Sequence, residues 1–159
     1  MSDAGVGAKY EFGYGEKWGF AADTAITFAS GTNDFSSNGT GVTLNGIMAY
    51  NVNADIGVEF QLGLSHVFSP AYPLQTTSIN PILVVSDQLN EITGNLQLYA
   101  EVYNFVDIAP DNNVSSFIDA GVQYLVTPDV EVDVEAGHNL TDIPLNNTTY
   151  VGFGAGIEF

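Results

Sequence analysis

The feature that most constrains this chain is a period-two alternation of apolar and polar residues, sustained for about ten residues at a time and recurring along nearly its whole length. Successive side chains of an extended strand point to opposite sides, so such runs build a sheet with one apolar face. Ala4, Val6, Ala8, Tyr10, Phe12 and Tyr14 share one face while Gly5, Gly7, Lys9, Glu11 and Gly13 share the other. After a tight turn at Gly15-Glu16-Lys17, Trp18, Phe20, Ala22, Thr24, Ile26 and Phe28 resume the apolar face opposite Gly19, Asp23 and Thr27, which completes a hairpin.

The same pattern continues beyond a Gly/Asn/Ser-rich loop at 30–40. Val42, Leu44, Met48 and Tyr50 line one strand, Val52-Asn53-Ala54 turns it back, and Ile56, Val58, Phe60, Leu62 and Leu64 oppose Asp55, Glu59, Gln61 and Ser65. The stretch 72–95 reads ambiguously, because Ile79, Leu83 and Val85 fall on one face but Ile82 and Val84 on the other; a single strand is assigned there. Leu96, Leu98, Ala100 and Val102 then alternate with Gln97, Tyr99 and Glu101, a polar loop spans 107–113, and Ile118, Ala120, Val122 and Tyr124 oppose Asp119 and Gln123. Past the turn Thr127-Pro128-Asp129, Val130, Val132, Val134 and Ala136 alternate with Glu131, Asp133 and Glu135. A loop at 141–149 leads to Val151, Phe153, Ala155, Ile157 and Phe159, set against Gly152, Gly154, Gly156 and Glu158.

About nine strands of this length exceed the five or six residues usual in globular sheets and match what a tilted strand needs to cross a bilayer. Short turns at 15–17, 52–54 and 127–129 alternate with longer loops at 30–40, 69–73, 107–113 and 141–149, as on the two sides of a membrane barrel. The polar face carries mid-strand carboxylates at Glu11, Asp23, Glu59, Glu101, Asp119 and Asp133, which a dry core holds only at a cost. The expected fold is therefore all-β: an up-and-down antiparallel β-barrel of the outer-membrane type, of eight to ten strands, apolar outside and acidic inside, in one domain over 1–159. Single-chain barrels have even counts, so about nine strands implies either one strand more or fewer in 72–95 or open edges that pair with another copy.

Charge narrows the partners. Two Lys and Arg against 19 Asp and Glu give a net charge of −17, which excludes nucleic acid, since its binding requires neutralising phosphates. No run of 18 apolar residues is present, so no transmembrane helix is expected. The absence of cysteine removes disulfide stapling.

The segments Leu98-Tyr99-Ala100-Glu101-Val102, Ile118 to Asp129 (IDAGVQYLVTPD) and Val151 to Phe159 (VGFGAGIEF) resemble the C-terminal half of the MetA-pathway of phenol degradation transporter family. The resemblance covers roughly 96–159 and implies an outer-membrane barrel passing small hydrophobic or aromatic molecules. The chain is shorter and far poorer in basic residues than that family's pattern.

The candidate sites are few. Tyr14, Trp18, Phe28, Tyr50, Phe68, Tyr150 and Phe159 lie near strand ends and are read as the two aromatic girdles of a membrane barrel. Glu131, Asp133 and Glu135 share one strand face and are weak candidates for divalent cations; a solvated acidic face explains them as well. His66 and His138 read as rim residues, with no second histidine at metal-ligand spacing. No nucleophile motif is present, and neither an enzymatic activity nor a cofactor is expected. The functional expectation is a porin-like channel for small solutes in the bacterial outer membrane, partnered by the lipid bilayer. The alternative is a self-assembling β-barrel subunit of an extracellular tube or fibre, partnered by other copies of itself.

Overall fold

In a computed structural model the alternating runs become nine strands: β1 (Ala4–Tyr14), β2 (Trp18–Phe28), β3 (Thr40–Asn51), β4 (Ile56–Phe68), β5 (Thr76–Gln88), β6 (Leu96–Ala109), β7 (Val114–Thr127), β8 (Val130–Asn139) and β9 (Thr149–Ile157). The structure describes residues 3–31, 39–68, 76–90, 92, 94–109, 113–141 and 149–157; Phe159 and most of each long loop lie outside them. Each strand pairs antiparallel with the next, so spatial order follows chain order from β1 to β9 in one meander. The ambiguous stretch holds one strand, β5, and the loop expected at 107–113 begins later, because Asp107, Ile108 and Ala109 continue β6.

Register shows which residues share a face. One row runs Ala49–Glu59–Val84–Glu101–Asp119–Gly137–Tyr150 from β3 to β9. The next row, Met48–Phe60–Leu83–Val102–Ile118–His138, lies on the opposite face. A cleft of about 660 Å³ is lined by Gly7, Lys9 and Glu11 of β1 together with Glu131 of β8 and Gly156 of β9. Strands at opposite ends of the sheet thus border one space on the polar side, and the nine strands curl into a half-barrel with that side concave. β1 and β9 do not pair with each other.

This curl turns the usual arrangement of a protein inside out. Among the described residues the only buried hydrophobic side chains are Ala21 and Ile47, both on the concave face, whereas Phe60, Leu83 and Val102 are exposed and Phe153 is 84% exposed. Stability therefore cannot come from a protein core in the ordinary way; eight antiparallel ladders carry the backbone hydrogen bonds.

Irregularities fall where the sequence demands them. Pro81 sits in mid-strand, where a missing N–H ordinarily forbids a central position. It pairs in register with Leu62 of β4, while on the β6 side the register passes from Ile79↔Val106 to Ile82↔Tyr103 without engaging Asn80 or Pro81. The ladder is interrupted on the side where Pro has no donor. Replacing Pro81 with Val restores that donor and is expected to stabilise the sheet by about 0.5–1.5 kcal/mol, the net worth of one added hydrogen bond. Urea unfolding in detergent measures this, and a destabilised variant would show that the gap has another cause.

Candidate functional site

The concave face is the natural place for function, because polar chemistry is gathered there. Asp23, Glu59, Glu101, Asp119, Glu131, Asp133 and Glu135 all occupy its rows, joined by Lys9 and Glu11 of β1. The chain's other basic residue, Lys17, lies in the first turn, so these carboxylates greatly outnumber the cations available to pair with them.

The densest part of this face spans β6 to β9. Tyr99, Gly121, Glu135 and Gly152 form one row, and Glu101, Asp119, Gly137 and Tyr150 form the row beside it. Glycine makes this packing possible. A Cβ built on Gly121 would lie 2.5 Å from the Tyr99 ring, so Tyr99 can lie over the backbone of β7 and donate its hydroxyl to Glu135 Oε2 at 3.2 Å. Tyr150 lies in the same way over Gly137 and donates to Asp119 Oδ2 at 2.7 Å. The Tyr150 and Tyr103 hydroxyls are 3.0 Å apart, and Tyr103 stacks on Phe117 with centroids 4.8 Å apart and planes 6° from parallel.

Asp119 is only 6% exposed, and its Oδ1 has no hydrogen-bond partner among the described residues. Glu101 stands directly opposite it on β6, so two carboxylates face each other across strands, an arrangement that is destabilising unless something of opposite charge intervenes.

The remaining acidic residues are held separately. Gln61 Nε2 donates to Glu59 at 2.6 Å, Asn45 Nδ2 to Asp23 at 2.7 Å, and Gln123 Nε2 to Glu131. The side chain of Asp133 lies over Gly154. Glu131 and Glu135 thus have separate donors along β8, and no group of three or more acidic or histidine side chains among the described residues is arranged to hold a metal ion.

The girdle residues divide. Trp18 and Tyr50 pair on the convex face at the end of the sheet with the short turns, their ring centroids 4.4 Å apart. Phe28 and Phe68 are exposed at the opposite strand ends. Tyr150 does not join them: it belongs to the concave face, where Asp119 holds its hydroxyl. Its position had already signalled this, since Val151 and Phe153 point outward and residue 150 has the opposite parity. Phe159 and the side chain of Tyr14 lie outside the description. His66 and His138 each place Nδ1 near a threonine hydroxyl across the strand, Thr77 at 2.7 Å and Thr149 at 2.9 Å, close to the long loops. Of the aromatic component, Tyr99, Tyr103 and Phe117 were missed as site residues, although each shares the strand parity of a neighbouring carboxylate, and Tyr150 was assigned to the girdle instead.

If Tyr150 anchors Asp119, Tyr150→Phe leaves that carboxylate without its one hydroxyl donor and is expected to lower stability by about 1–3 kcal/mol. Tyr124→Phe, on the convex face, serves as the control in denaturant titrations; equal, negligible effects of both would refute the anchoring role.

No family model matches the sequence, and no curated protein does either, so the resemblance of residues 96–159 to the phenol-degradation transporters gains no support from them. Among solved structures, one described as the NanC porin is similar to this chain with a TM-score of 0.73 at 12% identity, over 99% of this chain and 79% of that one. At that identity the likeness concerns the fold: an all-β, up-and-down antiparallel sheet curved in the manner of a porin wall.

Proposed function

We propose that the chain forms the wall of a porin-like, non-enzymatic barrel in the bacterial outer membrane, whose acidic lumen passes small solutes and favours cations. The observation that carries this reading is the inverted distribution of side chains: an apolar convex wall and a concave face lined by carboxylates. Bilayer lipid would cover such a wall, which nothing else among the described residues covers, and a closed or otherwise satisfied strand edge is the condition for crossing hydrocarbon. The fold shared with a porin supports the same reading. The alternative of an extracellular tube of stacked copies gains nothing from the comparisons.

Selectivity follows from direct electrostatics. Carboxylate rings along a pore raise the local concentration of cations and repel anions. Substituting Glu59→Gln, Glu101→Gln and Asp119→Asn together should lower the cation preference read from reversal potentials across a planar bilayer under a salt gradient. Unchanged selectivity would refute the acidic-lumen reading. The lipid-facing assignment has its own test. Leu83→Arg, at mid-strand on the convex face, should cost about 2–4 kcal/mol when the protein is inserted in liposomes, the penalty of a cation near the bilayer midplane. A negligible cost would mean that the wall does not face lipid.

A further inference from the structure

We propose that Tyr99, Glu101, Tyr103, Asp119, Glu135 and Tyr150 form a subsite for an organic monocation, namely an alkylammonium ion carrying a short apolar tail. The proposal rests on the lumen reading above, in that it requires the concave face to be open to solutes.

Three observations converge on this ligand chemistry. Glu101 and Asp119 are direct cross-strand neighbours of like charge, and the chain supplies neither with a cation, because Lys9 belongs to β1 and Lys17 to the first turn. Asp119 is nine-tenths buried, accepts from Tyr150 through Oδ2, and keeps Oδ1 without a donor among the described residues. An ammonium group seated between the two carboxylates, with a small shift of Glu101, brings both the missing positive charge and the missing N–H donor.

The surroundings then distinguish an organic cation from a metal ion. Tyr99 and Tyr150 lie over Gly121 and Gly137 on the concave face and are only partly buried there; Tyr103 is stacked on Phe117 beside Tyr150. Aromatic faces attract alkylammonium ions and bury their methylene groups. A calcium ion instead needs six to eight converging oxygens, and no three acidic side chains among the described residues are arranged to hold a metal.

The test is isothermal titration of the detergent-solubilised chain with n-butylammonium, and separately with sodium and calcium. Saturable n-butylammonium binding is expected, weakened roughly tenfold or more by Glu101→Gln or Asp119→Asn, as loss of a charged partner implies. It should be unaffected by Asp129→Asn, which alters a carboxylate in the turn between β7 and β8. Circular dichroism of each variant confirms the strand content, and the half-exposed Glu101 keeps the test valid if Asp119→Asn fails to fold. Absence of saturable binding, tighter binding of calcium, or affinity indifferent to Glu101→Gln would each overturn the subsite. The channel reading fails independently: a cation-selective pore that does not bind n-butylammonium removes only the subsite, whereas binding without any ion selectivity removes only the channel.

Discussion

A sheet whose apolar side chains point away from the rest of the chain has to be held by its backbone hydrogen bonds and by whatever lies against the apolar face. Here the described residues bury only Ala21 and Ile47 as hydrophobic side chains, so packing within the protein supplies little of the usual driving force. The eight ladders pair the backbone between neighbouring strands, as a strand in hydrocarbon requires because no water is available to do so, and leave the outer edges of β1 and β9 unpaired with each other. The interruption at Pro81 falls on the side where proline has no hydrogen to offer.

The concave face inverts the problem. Carboxylates are affordable there only if they meet water, donors or cations, and the structure provides donors selectively: Gln61 for Glu59, Asn45 for Asp23, Gln123 for Glu131, and tyrosine hydroxyls for Glu135 and Asp119. Gly121 and Gly137 create the room that lets tyrosines reach across a strand. The Glu101–Asp119 pair is the part of this network least provided for, and it lies where aromatic rings and acidic groups interleave.

Much of the architecture was legible in the sequence because a period of two has one structural meaning over runs this long. Strand boundaries at 4–14 and 18–28 and the turn at 15–17 follow directly from it, and the turn expected at 127–129 is narrowed to 128–129 because Thr127 continues β7. The pattern blurred at β5, where Ile82 and Val84 put apolar residues on the concave face, opposite to Ile79, Leu83 and Val85. At Tyr150 the pattern was right and the residue type misled, because an aromatic residue near a strand end was assigned by its chemistry rather than by its parity. Which tyrosine reaches which carboxylate depends on register between strands, and no single strand contains that information. The identity of the cover over the convex wall is likewise a property of the environment rather than of the chain.

That cover is the central claim, and residue-by-residue accessibility along β4 tests it most directly. Single cysteines at positions 59 to 63, in protein reconstituted into liposomes, can be read by spin-label relaxation against oxygen, which partitions into lipid, and against a water-soluble paramagnetic ion. The account predicts that positions 60 and 62 respond to oxygen and positions 59, 61 and 63 to the aqueous ion, alternating with the strand period. Equal aqueous accessibility at 60 and 62 would contradict it and place the apolar wall outside the membrane.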